Sequence, residues 1–312
     1  MAPQKFSFSK ILDYASCPKK YYYRYVLGIS PKKKAKPLAF GSCMADALRA
    51  YRSGSDLDGT CQAFHDTWVK EGKVLNINPD PEDPRDFRTV KRGFAILDEY
   101  IAQYPDEPAA IIEPEVKFEL SLGMIAGVDV ILNGRIDGLI KSRGDKVAII
   151  EDKTTSRLGP TFFDALRGSL QIGIYLVAGE EYGLFEIGGK RTTPMCLMNA
   201  VYVHKKEFRF AQDVAIKSRQ HLSGYKDNAI MWITQMIQST ENNFFPLNDV
   251  DNSMCTKYGG CDYQPLKYAQ GNTLKAVLKS GYTRKWKEGD EYLTGPVTDE
   301  DVEKAAAFAL GG

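Results

Sequence analysis

Residues 131–155, ILNGRIDGLIKSRGDKVAIIEDKTT, decide how this chain is read. Two runs rich in Ile, Leu and Val flank Ser142–Lys146, SRGDK, whose residues favour a turn. Such a pattern predicts two β-strands joined as a hairpin. Each run carries an acid in apolar surroundings, Asp137 in the first and Glu151 in the second. Hairpin strands are neighbours, so these carboxylates can converge. Side chains alternate across a strand, which places Glu151 and Lys153 on one face and Asp152 on the other. Two converging carboxylates suit Mg²⁺ or Mn²⁺, hard cations that prefer oxygen. A lysine beside them can position a water and steady charge on an attacked phosphate. Taken alone, Glu151–Lys153 also reads as a surface ion pair at a strand end.

Outward from this stretch, residues 111–122, IIEPEVKFELSL, alternate with a period of two, and a turn is expected at Leu122–Gly123. Downstream, a long helix is expected over 160–182. It carries Gln171 and Tyr175 four residues apart, hence on one face. A strand (CLMNAVYVHK), a charged segment (KEFRFAQ) and an amphipathic helix over 211–239 follow, the helix with Trp232, Ile233 and Met236 on one side. The first third reads helical, with helices near 40–51, 58–72 and 86–104 and a proline-rich loop over 73–86. The organisation expected is a helical lobe (1–110), an α/β core (111–210), a C-terminal helix with a cysteine segment (211–267) and a partly disordered tail (268–312).

Composition bounds the class. The 312 residues are 43% apolar and 26% charged, a globular balance that excludes a wholly disordered chain. No apolar run approaches the roughly 20 residues of a membrane span, and the N-terminus lacks a secretory pattern, so a cytoplasmic protein is expected. Six cysteines are too few for a disulfide scaffold and read as buried residues or metal ligands. Net charge is +1, but residues 1–36 hold nine Lys or Arg against one acid, Asp13. Within that segment Lys19, Lys20 and Arg24 are interleaved with Tyr21, Tyr22, Tyr23 and Tyr25, and Lys32, Lys33 and Lys34 follow. This mixture suits phosphate and base contacts, or equally a solvated face over packed tyrosines.

The ordered set Gly134–Asp137, Glu151–Lys153 and Gln171–Tyr175 resembles the G-x-x-D, D/E-x-K and Q-x-x-x-Y motifs of the PD-(D/E)XK nuclease superfamily. More narrowly it resembles the RecB-like exonuclease branch, with AddB nuclease domains, CRISPR-associated exonucleases and phage homologues. Glu115 matches an acid one strand earlier, and the N-terminal Cys-Pro and aromatic-basic run match the branch's opening helix. The resemblance covers about residues 6–265. It implies a restriction-endonuclease-like mixed sheet core flanked by helices, with an N-terminal helical lobe. It also implies a Mg²⁺- or Mn²⁺-dependent deoxyribonuclease acting near DNA ends or on single strands, in recombination, repair, phage DNA processing or CRISPR adaptation. By that resemblance Asp137, Glu151 and the Asp152 backbone carbonyl hold the metal and Lys153 orients the nucleophilic water. Gln171, Tyr175, Lys19, Lys20 and Arg24 contact DNA.

Two departures stand out. Ala45 occupies the place of a metal-ligating histidine, whether by natural loss or by engineering, so reduced activity is expected. The second concerns a [4Fe–4S] cluster held by four cysteines in many members. Cys17, Cys255 and Cys261 match three of them, but Lys267 stands at the fourth. The cysteines are then ligands of an incomplete cluster or structural metal site, or packed relics. The alternative to an enzyme is a DNA-binding or assembly module that keeps the nuclease fold without its reaction.

Overall fold

The computed structural model describes residues 3–32, 35–75, 87–142, 146–248, 255, 260–288 and 291–309. In chain order, β1 (Gln4–Phe6) leads to α1 (Phe8–Ser16), α2 (Pro18–Tyr21), a π-helical turn (Tyr22–Val26) and β2 (Ile29–Pro31). Helices α3 (Lys36–Arg52), α4 (Leu57–Leu75), α5 (Val90–Gln103) and α6 (Glu107–Ala110) follow. The middle runs β3 (Ile111–Glu113), β4 (Val116–Ile125), β5 (Val128–Ile136), β6 (Gly138–Ser142) and β7 (Lys146–Thr155). Next come α7 (Phe162–Arg167), α8 (Leu170–Glu181), β8 (Glu186–Ile187), β9 (Lys190–Arg191), β10 (Met195–Val203), β11 (Phe208–Ile216) and α9 (Arg219–Glu241). The last elements are α10 (Gln264–Tyr268), α11 (Gly271–Gly281), β12 (Tyr282–Glu288), β13 (Glu291–Pro296) and α12 (Asp299–Ala309).

The chain divides into two compact units, one of Lys34–Leu122 with Ile131–Ala229, the other of Met1–Lys33, Gly123–Val130 and Ile230–Gly312. Residues 1–110, expected as one lobe, are therefore shared between the two.

The first unit is built on a five-stranded sheet in the order β11-β10-β7-β6-β3. Only β7 and β10 run parallel; the other pairs are antiparallel. Val147–Ile150 are buried in succession, as expected for a central strand covered on both faces. On the face of Thr154, α3 crosses β7 so closely that a Cβ on Gly41 would lie 4.0 Å from the Thr154 Cβ. Behind it a core joins Phe40, Met44 and Leu48 of α3 to Phe64 and Trp68 of α4, Ile96 and Leu97 of α5, and Val201 of β10. The opposite face, that of Lys153, is covered by α8. Helices on both faces of a mixed sheet give the α/β layering expected from the sequence.

Several expected boundaries move. The turn after β4 lies at Ala126–Gly127, both with positive φ, and not at Leu122–Gly123. The helix expected over 160–182 breaks into α7 and α8 because the Ser169 hydroxyl caps a new helix by accepting the Ile172 amide (3.3 Å). Residues 211–216, expected as helix, belong to β11, whose amides pair antiparallel with β10. β11 is an edge strand with only Ala215 buried, and Ala211, Val214 and Ala215 recur at helical spacing. The 76–86 part of the proline-rich loop and positions 143–145 of the SRGDK turn lie outside the described residues, as do Lys33 and Lys34.

The second unit packs the N-terminal aromatic run inward. Tyr21, Tyr22 and Tyr23 are buried. Tyr23 stacks on Tyr263, whose hydroxyl donates to the Ile29 carbonyl (2.7 Å). A three-stranded sheet, β13-β12-β2, joins both ends of the chain. The tail, expected to be partly disordered, carries α11, this hairpin and α12 in its described residues. Thr298 and Asp301 cap α12 reciprocally: the Asp301 amide donates to the Thr298 hydroxyl oxygen (3.2 Å) and the Thr298 amide to the Asp301 carboxylate (2.9 Å). No helix among the described residues is long and apolar enough to cross a membrane.

Candidate active site

β6 and β7 pair with Gly138 opposite Ile150, which brings Asp137, at the end of β5, beside Glu151. The Asp152 amide donates to Asp137 Oδ2 (2.9 Å), tying the two segments together. Gly134 on β5 makes room for the Phe118 ring of β4: a Cβ there would sit 2.6 Å from Phe118 Cζ.

Glu151 is 2% exposed, and its two oxygens differ. Oε1 accepts the Lys153 ammonium. Oε2 is buried with no hydrogen-bond partner. Burial pushes the Glu151 carboxyl up to about 8, Lys153 opposing and the Asp137 charge adding. Burial, then the nearby Asp152 carboxylate, pushes Asp137 up to about 6 against the Asp152 amide and Lys153. Lys153 Nζ also donates to Gln171 Oε1 (3.0 Å), and Gln171 Nε2 donates to the Tyr175 hydroxyl (3.1 Å). Tyr175 packs edge-on against Phe118, and burial followed by the Glu151 charge raises its pKa. Asp137, Glu151, Lys153, Gln171 and Tyr175 thus form one contiguous cluster.

Asp152 points the other way, as strand alternation requires. Arg52 binds it bidentately (2.5 and 2.9 Å), and Asn199 donates to Oδ1 (2.8 Å). The Arg52 side chain is fully buried and also reaches Glu107 through Nε (3.0 Å). Burial works against its charge, but Asp152 and Glu107 outweigh this and raise its pKa well above the usual value. The Asp152 side chain is therefore committed to the opposite face, which leaves only its main chain for the expected role at the metal. Sequence reasoning missed this network, whose members lie 47 and 100 residues from Asp152.

Other expected residues are placed as follows. Ala45 lies on α3 one turn beyond Gly41, with a methyl group and no donor atom. Glu115 accepts both Arg49 Nη1 (2.6 Å) and Arg135 Nε (3.3 Å) on Oε2. In the other unit, Lys20 and Arg24 both pair with buried Asp13 (2.7 and 2.8 Å). Their charges are thus partly spent within the fold, a physical limit on the expected role in attracting DNA. Lys32 donates to the Lys279 carbonyl (2.7 Å). Cys17, Cys255, Cys261 and Lys267 line one cavity together with Lys19 and Lys20.

The carboxylate pair fits a hard divalent cation. Glu151 Oε2 is an orphaned oxygen, burial disfavours the charged form of both carboxyl groups, and a bound cation would offset that penalty; Mg²⁺ commonly takes only one or two protein carboxylates. Among the described residues no group of three or more His, Cys, Asp or Glu is arranged to hold a metal. The cysteine cavity does not fit a [4Fe–4S] cluster: it offers three thiols, and the fourth place holds an ammonium group, a cation without a lone pair.

The model of the PD-(D/E)XK nuclease superfamily matches residues 5–266. No curated protein matches the chain. Among solved structures, SSO0001 aligns at 11% identity over 82% of this chain and 84% of its own, with a TM-score of 0.38. A protein of Eubacterium rectale named a "Putative exonuclease" aligns at 13% identity over 79% and 85%, with a TM-score of 0.48. The family match spans the Asp137–Glu151–Lys153 cluster and most of the chain around it, and the chain belongs to the PD-(D/E)XK nuclease superfamily.

Proposed function

We propose that this chain is a Mg²⁺- or Mn²⁺-dependent deoxyribonuclease of the RecB-like exonuclease type that hydrolyses phosphodiester bonds near DNA ends or in single strands. The observation that carries the reading is the buried, unpartnered Glu151 Oε2 beside Asp137 and Lys153. Asp137 and Glu151 hold the cation, and the Asp152 main-chain carbonyl is the further ligand. When bound, the cation supplies Lewis acidity toward the phosphoryl oxygen. Both carboxyl groups give up their protons to bind it, so binding tightens as pH rises. Lys153 is held between Glu151 Oε1 and Gln171 Oε1, which orients its one remaining N–H. That N–H directs the attacking water, and the ammonium charge offsets charge developing on the phosphate. Gln171 and Tyr175 set the lysine and contact the nucleic acid. Lys19, Lys20 and Arg24 add a basic surface for the backbone, weakened by the pairing of two of them with Asp13. Recombination, repair or phage DNA processing in the cytoplasm, or CRISPR adaptation, is the biological setting this reading suits.

Ala45 favours a second reading. Without an imidazole there, the cation has one ligand fewer, so metal affinity and turnover are lower, and a DNA-binding module without hydrolysis is the limit of that trend. Incubation of end-labelled single-stranded, duplex and circular DNA with Mn²⁺ separates the two. Cleavage of linear DNA that is lost in Glu151→Gln and Lys153→Ala supports the enzyme. Salt-sensitive binding without cleavage supports the module.

A further inference from the structure

Glu115 is the hub of a charge cluster that the metal chemistry does not use. Its Oε2 accepts Arg49 Nη1 at 2.6 Å and Arg135 Nε at 3.3 Å. Arg49 extends from α3 and also binds Asp46 (2.8 Å), itself fixed by the Thr67 hydroxyl (2.7 Å). Arg135 extends from the last residues of β5, two residues before Asp137, which follows the end of the strand.

A stabilising role accounts poorly for this cluster. Ion pairs of exposed side chains contribute only about 0–1 kcal/mol, and the Arg49 and Arg135 side chains are 39% and 51% exposed. Arg52, on the same helix as Arg49, shows the contrast: its side chain also engages two carboxylates but is fully buried. Glu115 and Asp46 together balance the two guanidinium groups, so what the cluster presents is exposed, forked N–H donors. The terminal nitrogens of Arg135 make no hydrogen bond or ion pair among the described residues. The cluster lies close in the chain and in charge to the candidate active site: Arg135 is two residues from Asp137, and the Arg49 pKa is raised by the Glu115 hydrogen bond against burial, then by Asp46, with Asp137 adding last. Half-exposed, forked cations held at one anchor match the geometry of a phosphodiester.

We propose that Arg49 and Arg135, gathered by Glu115, form a clamp for a backbone phosphate of the nucleic-acid strand beside the Asp137–Glu151 pair. This rests on the nuclease reading and adds to it a pair of fixed guanidinium donors for the strand that lies beside the two carboxylates. Glu115 is a positioning residue: it sets the spacing of the forks.

Fluorescence anisotropy of fluorescein-labelled single-stranded and duplex oligonucleotides tests the clamp in EDTA, where no metal-dependent cleavage interferes. Arg49→Gln and Arg135→Gln are each expected to weaken binding about tenfold and to flatten the slope of log K against log salt by roughly 0.7–0.9. Arg209→Gln, a matched control at an exposed arginine paired with Glu207 (3.1 Å), leaves both unchanged. Thermal melting confirms that the variants fold. Clamp variants that bind as tightly and with the same salt slope as wild type, or an Arg209→Gln loss of equal size, overturn the clamp. Wild-type protein that cleaves DNA while the clamp variants behave normally sinks the clamp alone. Wild-type protein that neither binds nor cleaves DNA sinks the deoxyribonuclease reading beneath it.

Discussion

Arg52→Met removes the guanidinium that joins α3 to β7 behind the active site. It keeps an unbranched apolar stem and removes the guanidinium with its charge and hydrogen bonds. Two carboxylates lose their partner: Asp152, whose side chain is 7% exposed, and Glu107, at 5%. Breaking a buried pair by deleting one partner costs about 3–5 kcal/mol. Asp152 keeps its bond from Asn199, which holds the cost near the lower end of that range. For a unit of this size, each kcal/mol lowers Tm by roughly 2–4 °C, so a fall of about 6–12 °C is expected by circular dichroism. Glu107 adds a pH signature. Burial already raises its pKa against the pull of Arg52, so losing Arg52 raises it further. A raised acid binds its proton more tightly folded than unfolded, so its contribution to stability is lost as pH rises. The deficit of Arg52→Met is therefore larger at pH 8 than at pH 5. Adding Glu107→Gln and Asp152→Asn to Arg52→Met recovers much of the loss. A Tm within 2 °C of wild type, or a deficit that the added amides leave untouched, would refute the argument from stranded charge.

The active-site carboxyls make a second pH prediction. Glu151 sits at about 8 and Asp137 at about 6 when folded, both above their unfolded values of roughly 4. Metal-free protein therefore loses stability between pH 5 and pH 9 as these protons leave; Glu151→Gln flattens that slope, and Mn²⁺ restores stability at high pH. A metal-free Tm that rises over the same range contradicts it. Ala45→His supplies a nitrogen ligand from α3, and we expect tighter Mn²⁺ binding by titration calorimetry and faster cleavage. Unchanged calorimetry would detach position 45 from the metal. Anaerobically purified protein is expected to lack iron and cluster absorbance, whereas Lys267→Cys, completing four thiols in the cavity, acquires both on reconstitution. A brown wild-type protein would overturn that expectation.

The reactive strand pair was legible because its chemistry is local. An apolar run ended by Glu151-Asp152-Lys153, next in the chain to an acid-bearing strand, leaves little freedom in register. Gln171 and Tyr175 were readable for the same reason, four residues apart on one helix. What local pattern misses is partnership across distance. Nothing near Asp152 announces that Arg52, 100 residues earlier, neutralises it, or that Arg49 and Arg135 meet on Glu115. Edge strand β11 was misread because Ala211, Val214 and Ala215 fall at helical spacing and Gln212 interrupts the alternation of Phe208, Phe210, Val214 and Ile216. The helix break at Ser169 hinged on one hydroxyl outcompeting helix continuation, a balance of about 1 kcal/mol.

Strand β7 carries unlike duties on its two sides, reactive groups at odd positions and a sealed ion pair at an even one. Side-chain parity along a strand is unforgiving: adding or deleting one residue before Glu151 would turn every later side chain over. Asp152 would then take the face of Gln171 while Glu151 and Lys153 were driven into the core against Arg52. This segment can consequently drift in composition across descendants, but its length is fixed, and any viable insertion must fall in the connection between β6 and β7.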